Sequence, residues 1–119
     1  MRHESLYLTD IVEAVDDIAR FTAGIEAKSF HESDLLRSAV VHKLSVIGEA
    51  AARLSDELKD RNPQVPWAQI VGFRNILIHA YFGIDWELVW EAVKHRCPIL
   101  REQIAQILAA ESGRPEQSG

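Results

Sequence analysis

The stretch Arg74-Asn75-Ile76-Leu77-Ile78-His79-Ala80-Tyr81 concentrates more chemistry than any other eight consecutive residues of the chain. Arg74 supplies a permanent cation whose planar fork suits phosphate, and His79 supplies the one type of side chain that titrates near neutral pH. With Tyr81 they place polar groups in an otherwise apolar run, which a helix serving only as core would not need. An arginine and a histidine suffice for RNA cleavage without a metal. A neutral imidazole takes the proton of a ribose 2′-hydroxyl, or a charged one protonates the departing 5′-oxygen, while the guanidinium stabilises charge on the phosphate.

Arg74 and His79 are five positions apart, which puts them ~140° from each other around a helix. Asn75 and His79 are four apart and share a face, so Asn75 is the better placed to orient the imidazole by local geometry. Arg74 must wrap around the helix, meet a helix end, or face the same groove from a second copy of the chain, and the last option suggests a two-fold dimer with a composite site. His79 falls in the last turn of its predicted helix, where the macrodipole favours the imidazolium. The same residues also admit a structural reading, in which the histidine bonds a carbonyl at a helix end and Arg74 pairs with a carboxylate such as Glu49.

Hydrophobic spacing predicts the elements that carry this stretch. Leu8, Ile11, Val12, Val15, Ile18 and Phe21 recur at intervals of three and four, predicting a helix over Ser5 to Ile25 that Gly24 closes. Ser29 and Glu32 fit a capping box that opens a second helix running to about Lys59. Along it Leu36, Val40, Leu44, Ile47, Ala51, Leu54 and Leu58 form a nearly heptad stripe, and Gly48 interrupts the pattern in the manner of a close helix crossing. Asp60 to Pro66 reads as a loop, Trp67 to about Tyr81 as the third helix ended by Gly83, and Trp86 to about Glu111 as the fourth, capped by Asp85 and kinked one turn before Pro98. The fold class is all-α, an antiparallel bundle of four main helices, with one domain over residues 1–111 and a flexible tail over 112–119.

The chain has 119 residues, 47% hydrophobic and 26% charged, which suits one soluble globular domain. Its formal charge of -5 excludes tight, unspecific binding to duplex DNA by the field of the whole molecule. No apolar run approaches the ~20 residues that span a bilayer, so the expectation is a cytoplasmic protein with no membrane partner. Cys97, the single cysteine, falls on the inner face of the last helix and reads as a buried thiol. His3, His31, His42 and His95 lack the spacing of a metal site, so neither a metal nor a cofactor is expected. Lys94-His95-Arg96 with Arg101 reads as a solvated helix face, and Trp67, Trp86 and Trp90 as core or dimer contacts.

Taken in order, Ile47-Gly48-Glu49-Ala50-Ala51, Pro66-Trp67, Gly72-Phe73 continuing through Arg74 to Asp85, Val89-Trp90 and Pro98-Ile99-Leu100 resemble a known family. The chain is similar to the HepT-like proteins of the HEPN superfamily, over roughly Leu6 to Ala109. This resemblance implies a dimeric, HEPN-type, metal-independent RNA endonuclease, the toxin of a type VII toxin–antitoxin system. Its R-x-x-x-x-H-x-Y motif maps onto Arg74, His79 and Tyr81, with the family's polar position at Asn75. The partner implied is an MntA-like nucleotidyltransferase antitoxin, which neutralises the toxin by transferring AMP to the motif tyrosine, here Tyr81. Two other functions compete with this one, a non-catalytic binding subunit of a nucleotidyltransferase and a purely structural dimer.

Overall fold

The structure, a computed structural model, describes residues 3–79 and 83–112. It is all-helical, with no strand among the described residues. Seven α-helices follow in order among these residues: α1 (Glu4–Thr22), α2 (Ala27–Glu32), α3 (Asp34–Arg53), α4 (Asp56–Arg61), α5 (Trp67–His79), α6 (Trp86–Glu91) and α7 (Cys97–Ser112). A π-helical turn, Ala92–Arg96, joins the last two. The four long segments expected from the sequence are α1, α3, α5 and the α6 to α7 run. α1 packs on α3 and α7, and α5 packs chiefly on α3.

The periodic residues of α1 point where their spacing requires, since Leu8, Ile11, Val15 and Ile18 are all buried. Gly24 takes φ +71 and closes the first segment, as expected. The capping box at Ser29 is not what opens the second segment. Ser29 and Glu32 both lie inside the short α2, and the cap is Ser33, whose extended backbone lets its hydroxyl accept the Leu36 N–H at 3.1 Å. The physical reason is Phe30: it is wholly buried, packing on Trp86 and Trp90 with ring centroids 6.2 and 4.9 Å apart, so one turn of helix delivers it before the chain turns into α3.

The second segment also ends earlier than expected. It breaks at Leu54, and Ser55 starts α4 by accepting the Leu58 N–H at 3.1 Å. Leu54 and Leu58 are both buried across the break, so a bend rather than a straight helix brings them to the core. Asp60 and Arg61 belong to α4, which leaves a shorter loop, Asn62 to Pro66, tied down where Trp67 Nε1 donates to the Asn62 carbonyl at 3.0 Å. Asp85 caps α6 by accepting from the Glu87 and Leu88 amides at 3.1 and 3.2 Å. The disturbance expected before Pro98 takes the form of the π turn, where the Cys97 N–H reaches back to the Ala92 carbonyl. A proline lacks the N–H that would satisfy the carbonyl four residues earlier, and a widened turn accommodates that loss. Ala80, Tyr81 and Phe82, at the expected end of the third helix, and residues 113–119 of the expected tail lie outside the described residues.

Candidate functional site

Arg74 sits where α5 crosses α3. Gly48 lies directly beneath its side chain, and any Cβ there would collide with the arginine stem. The stem is held against the bundle, and the side chain keeps about a quarter of its surface exposed (24%). Its guanidinium is engaged on two sides. Nη1 donates to Glu49 Oε2, while Nε and Nη2 donate to Asn75 Oδ1 at 3.2 and 2.9 Å. A guanidinium carries five N–H groups, so each terminal nitrogen keeps one for a ligand.

Glu49 has a second partner. Arg53, one turn further along α3, donates to Glu49 Oε1 from Nε at 3.0 Å, and its Nη2 lies 2.8 Å from the same oxygen in an ion pair. The Arg53 hydrogen bonds, then the charges of Arg53 and Arg74, hold the Glu49 carboxyl below the ordinary glutamate range against a burial penalty. One carboxylate between two guanidiniums leaves a net positive charge at this edge.

The structure thus brings Arg74 and Asn75 together and adds Glu49, the carboxylate that the structural reading of the sequence named. Asn75 turns its carbonyl oxygen to the guanidinium, a use that its spacing to His79 did not suggest. His79 is the last residue of α5 and is exposed, on the outward side of the helix from Arg74. Within one chain the two do not converge, because both lie on a single straight run of helix with ~140° between them. Tyr81 lies outside the described residues. Sequence reasoning missed Arg53, although its four-residue spacing from Glu49 is a readable signal.

The surroundings sort the other candidates. Ile76 and Ile78 flank the outward face of α5 and are more than half exposed, at 53% and 52%. Arg101 is committed to Asp16 at 2.7 Å, Lys94 lies over the Trp90 ring at 5.2 Å, and His95 faces Glu91 at 3.7 Å, so these three basic side chains are used locally. Trp67 is buried, and Trp86 and Trp90 pack on Phe30. Cys97 is buried, and burial pushes its thiol up to about 12. No group of three or more His, Cys, Asp or Glu residues among the described residues could hold a metal ion. No helix among them is long and apolar enough to cross a membrane.

A family profile described as "Ribonuclease HepT-like" matches residues 11–107. Two proteins of Methanocaldococcus jannaschii are similar over nearly their whole length. "Putative RNase MJ1380" is 39% identical over 87% of this chain and 94% of its own, and "Putative RNase MJ1216" is 36% identical over 94% and 93%. "Probable ribonuclease HepT" of Thermococcus cleftensis is 36% identical over 85% of this chain and 92% of its own. No solved structure matches the chain.

Proposed function

Because the chain belongs to the HepT-like ribonuclease family, we propose that it is a metal-independent RNA endonuclease that works as a two-fold dimer. Arg74 holds the scissile phosphate and stabilises charge on it in the transition state. His79 moves the protons. As the neutral base it takes the 2′-hydroxyl proton while the 2′-oxygen attacks phosphorus, and the imidazolium gives a proton to the 5′-oxygen as the P–O5′ bond breaks. The products are a 2′,3′-cyclic phosphate and a free 5′-hydroxyl. Asn75 holds the guanidinium in place.

The observation that carries this reading is the contrast within α5. Arg74 is fixed by Glu49 and Asn75 with N–H groups to spare, whereas His79 stands exposed on the outward side. A purely structural pair would bury both. The outward side of α5, where Ile76 is exposed, offers apolar surface to a second copy, which would bring its own His79 to this Arg74. In the same reading the protein is a toxin restrained by an MntA-like nucleotidyltransferase antitoxin. AMP attached to Tyr81 would add bulk and negative charge two residues from His79 and exclude the RNA backbone.

The test is cleavage of a labelled RNA in excess EDTA, with the product ends analysed. Cyclic phosphate ends from the wild-type chain, lost in His79→Ala with the fold intact, are the expected result. Arg74→Lys should lose activity by a factor on the order of 100, because an ammonium keeps the charge and not the fork. Absence of cleavage by any of these chains would turn the assignment toward a binding subunit of the nucleotidyltransferase.

A further inference from the structure

Beside Arg74, between α1, α3 and α5, lies an open cleft of about 320 Å³, whose lining includes Tyr7, His42, Val46, Arg53 and Ile78. That volume is at the low end of the range for small-ligand sites and suits one nucleotide. Its walls divide by chemistry. Val46 and Ile78 are apolar and Tyr7 is aromatic, surfaces on which a nucleobase can pack. Arg53 and Arg74 form the cationic edge, held side by side by the Glu49 carboxylate.

Arg53 turns Nε and Nη2 toward Glu49, so Nη1 remains to meet a second phosphate. Asp10 also lines the cleft, so the attraction for a phosphate is local to the arginine edge. Such a local patch is what RNA binding requires of a chain whose formal charge is -5. On the other side of α5, a groove of about 370 Å³ against α7 is lined mainly by Ile70, Phe73, Leu100 and other apolar groups, and Arg96 is its one cation among the described residues. The paired guanidiniums belong to the first cleft only.

We propose that this cleft is the subsite for the nucleotide flanking the scissile phosphate. Arg53 holds that nucleotide's outer phosphate, the base packs against Tyr7, Val46 and Ile78, and Glu49 positions both guanidiniums. The assignment rests on the RNA-cleaving role of Arg74 given above, and it adds the residues that take up the substrate.

The experiment measures binding of a short, fluorescent single-stranded RNA by anisotropy over a range of salt, in the His79→Ala background so that the probe stays intact. Arg53 is more than half exposed (58%), so Arg53→Gln is compatible with the fold, which circular dichroism checks. Arg53→Gln is expected to weaken binding about tenfold and to lower the slope of log affinity against log salt by about one, the signature of one lost phosphate contact. Arg53→Lys restores the slope, because the charge returns. In chains that keep His79, the loss in Arg53→Gln falls mainly in KM. Affinity and slope unchanged by Arg53→Gln overturn the subsite and leave wild-type cleavage, and with it the nuclease reading, standing. Wild-type chain that cleaves nothing yet binds RNA through Arg53 overturns the nuclease reading and upholds the cleft as an RNA site.

Discussion

Gly48 of α3 lies under Arg74 of α5, so close that a Cβ at position 48 would come within 2.9 Å of the Arg74 Cγ and 3.2 Å of its Cδ, and nearer still to its Cβ. The nearest of them, Cβ, is fixed by the α5 backbone and cannot swing aside as the end of a side chain can. Gly48→Ala must therefore push the two helices apart. Overpacking of this kind costs about 1–3 kcal/mol, and the better helix propensity of alanine offsets at most about 1 kcal/mol. The expected result is a melting temperature several degrees lower, with cleavage reduced further than stability because Arg74 leaves its position. A variant as stable and as active as wild type would show that the crossing has slack.

The carboxylate beside that crossing predicts an acid limb. Glu49 titrates below its ordinary value because it accepts hydrogen bonds from Arg53, with the charges of Arg53 and Arg74 adding to the effect. A carboxyl whose folded pKa is depressed contributes stability that is present above its unfolded value and lost as pH falls through its folded value. With an ordinary value of 4.5, the contribution of Glu49 is complete at neutral pH and disappears only below about 4.5. Glu49→Gln should therefore melt below wild type at pH 7, and the gap should narrow as the melts are repeated at progressively lower pH through that region. A gap that stays constant with pH would mean that the side chain acts by shape and not by charge.

Much of the scaffold was legible in the sequence because helical burial has a period. Leu8, Ile11, Val15 and Ile18 all arrive in the core, and the glycine that broke the α3 stripe marks the tight crossing that its position suggested. Helix boundaries were less legible. The stripe continues through Leu54 and Leu58, so nothing in the period reveals the break that Ser55 caps, and Ser29 and Ser33 offer the same hydroxyl to different starts. The site was legible as to residue type and not as to partner. Glu49 could be named as a carboxylate for Arg74, but the cleft unites Tyr7, His42, Arg53 and Arg74 from three helices, and only tertiary packing brings them to one place.

Cys97 gives a check on the packing of α7. Its side chain is 5% exposed, and burial pushes the thiol up to about 12. The thiolate is the reactive form, so at pH 8 the native protein should not react with Ellman's reagent over minutes, whereas the urea-unfolded chain should release one equivalent at once. Rapid reaction of the native chain would show that the helix opens locally around Cys97.

The geometry of α5 makes the dimer itself testable by complementation. If each site takes Arg74 from one protomer and His79 from its partner, Arg74→Ala and His79→Ala chains are each inactive alone. Unfolded together and refolded as a mixture, half of the dimers are mixed. Each mixed dimer holds one site with both residues intact and one with neither, so about a quarter of wild-type activity returns. A site contained within one chain gives no such recovery, because every chain in the mixture lacks one of the two residues. Activity restored to about a quarter would place the catalytic pair across the two-fold axis. A mixture as inactive as its parts, with dimers present by sedimentation, would require Arg74 and His79 to meet within one protomer, which demands that the end of α5 unwind.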